Sequence, residues 1–295
     1  MKIPKNWLFK EKSKFISTDL INWHCQIFNQ DDQDLKKKPN ILLIHGTGGS
    51  LHSWQKMVEP LKKESNLYLV DLPDHGLTEN LKENNFSLVN IAKQLSLLIK
   101  KLKINKFEIV VGHSAGVAIA QELFLTKTVG INEIIGINPS LVPPPTHFNL
   151  ALNPIISTAI TSKLSLSFFS NIIEKTPIID ILLDSTGSTL EEEQKQKYKE
   201  IFSQKKHVKG ALKFMASTDL NFLLSRANFL KCKIKFIAGK NDKWVAVKKL
   251  RAIKERYFPK ATFIEISGGH LLNETHQDYI IYEILNTINL TKLPP

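Results

Sequence analysis

Glu108-Ile-Val-Val-Gly-His-Ser-Ala-Gly116 is the stretch on which the reading of this chain turns. Glu108 to Val111 is a short apolar run of the kind a buried strand requires, and Ala115 to Leu125 reads as a helix. Between them, Gly112-His-Ser-Ala-Gly116 matches G-x-S-x-G in the strand-to-helix setting that gives the pattern its meaning. The turn must be tight enough to present Ser114 in a strained, exposed conformation. Glycines at 112 and 116 let neighbouring backbone come close. The helix N-terminus behind Ser114 favours negative charge developing beside it. A chance glycine-rich turn is the competing reading, and the flanking elements argue against it.

Outward from this turn the chain alternates strand and helix. Lys14 to Ser17 and Trp23 to Phe28 read as an opening strand pair, followed by a polar loop, Asn29 to Pro39. Asn40 to Ile44 is a strand buried on both faces, Leu51 to Lys63 a helix, and Leu67 to Val70 another strand. Leu88, Ile91, Ala92, Leu95, Leu98, Ile99 and Leu102 recur at helical spacing. Glu133 to Ile137 is the sixth strand. This order predicts an α/β fold with a mostly parallel, doubly wound sheet. After Asn138-Pro139 the rhythm stops, and 140–230 is helical in pattern with no convincing buried strand. It resumes with strand Ile234 to Ala238, helix Val247 to Tyr257, strand Thr262 to Ile266 and helix Gln277 to Ile288. The expected organisation is a core of 1–139 and 231–295, with a helical cap, 140–230, inserted after the sixth strand. Such a cap would cover the sheet edge at which α/β folds bind ligands.

A serine needs a base, and the base needs an orienting acid; after a G-x-S-x-G turn the acid comes first in the chain. Gly239-Lys-Asn-Asp242 and Gly268-Gly-His270 each follow a late strand. Asp242 and His270 are therefore the expected acid and base, with Asp219 the less favoured acid. A helix-capping aspartate and a surface histidine are the bland alternatives. His45-Gly-Thr-Gly-Gly-Ser50 follows the third strand, where a loop supplies one N–H of an oxyanion hole. The backbone amides of Thr47 and Ala115 are assigned to that hole. No G-x-x-x-x-G-K-[ST] is present, nor a G-x-G-x-x-G at a first βα turn, so nucleotide binding is the poorer reading of the glycines. His45, His52, Trp54 and His113 are candidates to line the substrate pocket, with core packing the alternative for His52 and Trp54. The histidines form no C-x-x-C or H-E-x-x-H pattern, so no metal and no cofactor is expected.

Composition bounds the remaining classes. The 295 residues are 42% hydrophobic and 23% charged, as in ordinary globular proteins. Forty Lys+Arg against 28 Asp+Glu give a net charge of +12. The lysines are scattered, and the run Lys36 to Lys38 follows Asp31, Asp32 and Asp34, as in a solvated loop; nucleic-acid binding is not expected. Cys25 and Cys232, the two cysteines, lie in apolar stretches and read as reduced packing residues. No secretory signal and no transmembrane run is visible, which makes a cytoplasmic location the default.

These residues together resemble the α/β-hydrolase superfamily. So does Asp71-Leu-Pro-Asp-His-Gly76, although Asp74 stands where the usual D-x-P-G-H-G has glycine. A narrower similarity spans nearly the whole chain. The segment Trp7 to Trp23, His45 to Trp54, Gly112 to Gly116, Asp184-Ser-Thr-Gly-Ser188 and His207-Val-Lys-Gly-Ala-Leu-Lys-Phe-Met-Ala216 resemble the magnesium-chelatase accessory hydrolases of bacteriochlorophyll biosynthesis, the BchO type. The last two segments weigh most, because caps differ among hydrolase subfamilies. The resemblance implies a photosynthetic, tetrapyrrole-related setting and an association with magnesium chelatase. It does not fix the reaction.

Two kinds of function compete. One is a serine hydrolase acting on an ester or related acyl compound, a tetrapyrrole among them, with a general carboxylesterase as the blander version. The other is a porphyrin-binding or chelatase accessory protein that keeps the fold. Leu152, Ile155, Ile156, Ile160 and Leu164, followed by Phe168 and Phe169, form an apolar face that could receive a macrocycle or make peripheral membrane contact; packing on the core is the default. A complete Ser, Asp and His set favours chemistry. Serine at 114 argues against epoxide hydrolases and haloalkane dehalogenases, which use aspartate there.

Overall fold

The computed structural model describes residues 3–4, 7–29, 38–82, 85–142 and 177–292. Nine strands form one sheet: β1 Ser13–Ser17, β2 Ile21–Phe28, β3 Asn40–Ile44, β4 Asn66–Val70, β5 Glu79–Asn80, β6 Lys106–His113, β7 Gly130–Ile137, β8 Lys233–Gly239 and β9 Thr262–Ile266. Their order is β1-β2-β4-β3-β6-β7-β8-β9, with β5 paired to β2. The β1–β2, β2–β4 and β2–β5 pairs are antiparallel, and all pairs from β4 through β3 to β9 are parallel. The mostly parallel sheet expected from the sequence is present. The two-residue β5 is an addition, so the strand before the insertion is the seventh in chain order.

Alternation within the strands splits the core into two layers. Leu42, Ile44, Val110, Ile134, Phe236 and Ala238 face one layer; Ile41, Leu43, Ile109, Val111, Ile135, Ile137 and Ile237 face the other. Helices α2 (Leu88–Lys101) and α3 (Ala115–Leu125) cover the first. Of the residues at helical spacing in α2, Leu88, Ile91, Ala92, Leu95, Leu98 and Ile99 are buried. Each of these leucine and isoleucine side chains contributes about 1.5–3 kcal/mol. The second layer is covered by α1 (Gln55–Lys62) and by α10 (Gln277–Lys292), which follows the short helix α9 (Leu272–Thr275). The expected helix from Leu51 begins as a 3-10 turn, Leu51–Trp54, because Ser50 accepts a hydrogen bond from the His52 N–H and fixes the start of the turn. Helix α8 (Val247–Tyr257) joins β8 to β9.

Between β7 and β8 the described part of the insertion is helical: α4 Ile178–Asp184, α5 Glu192–Phe202, α6 Lys205–Ser217 and α7 Leu220–Ser225. Its buried side chains enter both layers, Ile179, Leu183, Tyr198 and Ile201 on one side and Phe214, Leu223 and Leu224 on the other. The apolar face from Leu152 to Phe169 lies outside the described residues.

Asp74, the departure from the familiar glycine, has φ 58°. Aspartate tolerates this left-handed conformation better than most residues, and its carboxylate accepts a hydrogen bond from the Asn80 N–H at 3.0 Å. The Asp74 side chain needs room in α6: a Cβ on Gly210 would come within 2.6 Å of the Asp74 Cβ. Gly210→Ala is expected to cost about 1–3 kcal/mol in urea denaturation. Adding Asp74→Gly should return part of that loss, since only the side-chain share of the clash disappears.

Candidate active site

Ser114 stands between β6 and α3 at φ 52°, ψ −118°. For a residue with a side chain this backbone is strained, and the surrounding hydrogen bonds hold it. The Ser114 N–H donates to the Ile137 carbonyl at 2.9 Å, while its own carbonyl accepts from the Val117 and Ser140 N–H groups. The glycines follow from close approach. A Cβ at 112 would lie 2.6 Å from the Gly116 carbonyl carbon and the Val117 nitrogen, one at 116 would lie 2.4 Å from the Ile44 oxygen, and one at 46 would lie 2.8 Å from the Ser114 Cβ.

The loops after β8 and β9 bring the expected partners to the serine. His270 Nε2 is 2.9 Å from the Ser114 Oγ, and His270 Nδ1 is 2.7 Å from Asp242 Oδ2. All three residues are buried. The other carboxylate oxygen of Asp242 accepts from the Trp244 and Val245 N–H groups, both at 2.8 Å. That leaves Oδ2 aimed at the imidazole and favours the tautomer with a proton on Nδ1, so Nε2 can accept from the serine hydroxyl. Asp219 is elsewhere: it caps α7 by accepting from the Phe222 N–H at 3.0 Å.

Beside the serine, a cavity is lined by the 46–49 loop, Ser53, His113, Leu182, Leu183, Thr186, Tyr198, Phe202, Trp244, His270 and Leu271. No side chain in this described lining carries a fixed charge. Thr47 is on its wall, and Ala115 opens α3, where the N–H has no acceptor within the helix. His113 also lines it, and its Nε2 donates to the His270 carbonyl at 2.8 Å. Burial, reinforced by His270 nearby, lowers the His113 pKa to about 3, so the ring is neutral.

The other pocket candidates lie elsewhere. Trp54 is fully buried in the core, because the turn after Ser50 points it inward. His45 is also fully buried and serves the backbone: Nδ1 donates to the Gly46 carbonyl at 2.7 Å and Nε2 accepts from the Leu72 N–H at 2.9 Å. Burial lowers its pKa to about 4. His52 lines a neighbouring polar cavity with Gln55, Lys56, Gln194, Lys197, Asn273 and Glu274, and its ring packs edge-on against Tyr198.

Several supporting residues carry no motif. The Asn138 side chain donates to the Gly269 and His270 carbonyls at 2.9 and 2.8 Å and accepts from the Gly239 N–H at 2.7 Å, joining the base loop to the end of β8. The break at Asn138-Pro139 was its one sequence signal. Asp71 is fully buried and binds the Leu51 and Leu77 N–H groups and His24 Nδ1. Burial raises its pKa, but the His24 hydrogen bond, the nearby histidines and the Leu51 N–H outweigh burial and bring it to about 2. His207 on α6 accepts from the Gly76 N–H and donates to the Gly48 carbonyl, both at 3.1 Å, tying the insertion to the loop beside Ser114. Among the described residues, no group of three or more His, Cys, Asp and Glu has a metal-binding arrangement, and no helix is long and apolar enough to cross a membrane.

With this architecture and site, residues 39–277 match the model of the alpha/beta hydrolase fold family, and the chain belongs to that family. More particularly, it is 30% identical over 288 residues to the magnesium-chelatase 30 kDa subunit of Rhodobacter capsulatus, covering 96% of this chain and 97% of that protein. The pimeloyl-[acyl-carrier protein] methyl ester esterase of Vibrio vulnificus (strain CMCP6) is 28% identical over 53% of this chain and 55% of its own length. The crystal structure of the enol-lactonase from Burkholderia xenovorans LB400 superposes with a TM-score of 0.70 at 16% identity, over 91% of this chain and 97% of that one. It shares the fold.

One carboxyl group near the cavity titrates unusually. Burial raises the Glu274 pKa from 4.5 to about 7, against the opposing hydrogen bond from Tyr198 and the Lys56 charge. The Tyr198 hydroxyl donates to Glu274 Oε1 at 2.5 Å. Between pH 4.5 and 7 the folded state holds a proton there that the unfolded chain has lost, so stability falls as pH rises through this window. Glu274→Gln is expected to flatten that fall, by up to roughly 3 kcal/mol, in unfolding measured across the window.

Proposed function

We propose that this protein is a serine hydrolase that cleaves an ester or related acyl compound. The observation that carries the reading is the hydrogen-bonded line from Ser114 Oγ through His270 to Asp242 beside an uncharged cavity. In this reading His270 takes the Ser114 proton as the oxygen attacks the substrate carbonyl. The carbonyl oxygen becomes an oxyanion, and the backbone N–H groups of Thr47 and Ala115 receive it. Collapse of the tetrahedral intermediate expels the alcohol, which takes the proton from His270, and leaves an acyl group on Ser114. Water, deprotonated by His270, then releases the acid. Asp242 holds the imidazole in the required tautomer and balances its charge when protonated. The cavity wall, which carries no fixed charge, favours a neutral acyl group at the reacting carbon.

The full-length similarity to a magnesium-chelatase subunit favours a tetrapyrrole-related substrate and a soluble protein working beside a chelatase. The same similarity supports a second reading, an accessory protein acting by contact with the chelatase. A complete nucleophile, base and acid arrangement favours the first, since contact alone needs none of them.

A fluorophosphonate probe separates the two. Labelling is expected at Ser114 in the wild type and lost in Ser114→Ala, together with a fall on the order of 10⁵-fold in kcat for any ester turned over. A folded wild-type protein that resists labelling by a probe small enough for the cavity would count against the hydrolase and in favour of the accessory role.

A further inference from the structure

The insertion does more than cover the site. After α4 the chain passes as Asp184-Ser-Thr-Gly-Ser188 between the loop that carries Asp242 and the loop that carries His270. On the acid side, the Trp244 indole N–H donates to the Ser185 Oγ at 3.0 Å, and the Lys243 N–H reaches the Thr186 carbonyl at 3.4 Å. On the base side, the same Thr186 carbonyl accepts from the His270 N–H at 3.0 Å, and the Ser188 Oγ accepts from the Leu271 N–H at 2.8 Å. The Trp244 ring lies 5.2 Å from the His270 ring, centre to centre. Thr186 and Ser188 are buried.

Two glycines make the passage narrow. Gly187 has φ 77°, and a Cβ on it would meet the Asn241 carbonyl oxygen at 2.4 Å. A Cβ on Gly269 would meet the Gly187 carbonyl carbon at 2.2 Å and the Ser188 nitrogen at 2.5 Å. The segment therefore touches backbone on both sides with no side chain between. The segment is itself braced: the Ser188 N–H donates to the Thr186 Oγ1, whose hydroxyl donates back to the Leu183 carbonyl. Leu182 and Leu183, just upstream, line the cavity with Thr186.

We propose that residues 184–188 are a positioning strut that sets the Asp242–His270 pair, so that the insertion helps to build the reactive geometry as well as enclosing the cavity. None of these side chains is bonded to the reacting atoms; they act through the backbone of the two loops and, at Ser185, through the Trp244 indole. The importance of the strut for turnover rests on the hydrolase reading above. Its effect on the Asp242–His270 hydrogen bond does not.

The test uses the full-length chain with Ser188→Ala, Ser188→Thr and Gly187→Ala. Three kinds of measurement are made, the rate of Ser114 labelling by a fluorophosphonate, the kinetics (kcat and KM) on a p-nitrophenyl ester, and the far-downfield proton NMR signal of an imidazole N–H bonded to carboxylate, with the thermal midpoint as a check on folding. Ser188→Ala is expected to slow labelling and lower kcat about tenfold, the scale of one lost hydrogen bond. KM should stay unchanged and the thermal midpoint should fall only slightly, as one lost buried hydrogen bond requires, while the downfield signal broadens. Ser188→Thr, which keeps the acceptor, should restore all three. Gly187→Ala, which must shift the loops, should lose on the order of 100-fold in kcat; if it does not fold, the Ser188 pair decides. The proposal is overturned if Ser188→Ala leaves kcat and the signal intact, or raises KM alone, which would make the segment a substrate contact. A wild type that neither labels nor turns over ester, yet loses its downfield signal in Ser188→Ala, would sink the hydrolase reading and leave the strut standing.

Discussion

The conformation of Ser114 is the constraint on which the rest of the structure depends. A non-glycine residue at φ 52°, ψ −118° is stable only when its surroundings determine it more strongly than its own preferences do. Here they come from several directions: β7 through the Ile137 carbonyl, α3 through Val117, β3 through the backbone that forbids a side chain at 116, and the 46–49 loop packed against the Ser114 Cβ. The parallel order of β3, β6 and β7 puts these elements at one edge of the sheet. Sheet topology and presentation of the hydroxyl to His270 are thus one problem with one solution. Loosening any of those contacts would let the serine relax into ordinary helix or turn geometry and turn its hydroxyl away from His270.

The buried histidines extend that argument to electrostatics. His45, His75, His113 and His207 are packed around the serine loop and the 71–80 turn, and burial lowers the pKa of each. Neutral imidazole both donates and accepts, so His45 and His207 each join two backbone groups in the interior. Asp71 supplies a fully buried negative charge in this region and is satisfied by two backbone N–H groups and His24. Hydrogen-bonded imidazoles of this kind stiffen the backbone they join, which suits a loop expected to hold an oxyanion in place.

The sheet and its helices were legible because periodicity records burial: Ile41 to Ile44 alternate between the two layers, and α2 presents one stripe. Ser114, Asp242 and His270 were legible because each follows a strand in a chemically meaningful order. For Trp54 the sequence left pocket and core packing both open, since a place near the start of a helix says nothing of which way a side chain turns; here Ser50 starts a turn that sends it into the core. Asn138 left only a break in rhythm. The Thr186 contribution is a carbonyl oxygen, which every residue has, so no residue type could announce it. Contacts made by backbone between distant parts of a chain leave in sequence only the glycines that make room for them, at 187 and 269.

The resemblance to one hydrolase subfamily spans nearly the whole chain and weighs most in two segments of the insertion. If 184–188 merely lined a pocket, its residues would be free to change with the substrate. A segment fitted between two loops, with a left-handed glycine against one and a glycine of the other against it, can change only if both loops change with it. The same holds at Gly210, whose missing side chain makes room for Asp74 in a turn of the core. In both places the insertion and the core meet backbone to backbone, and each fixes what the other can be. Exchanging the insertion for that of another hydrolase would disturb the pairing of Asp242 and His270 before it altered which molecule enters the cavity.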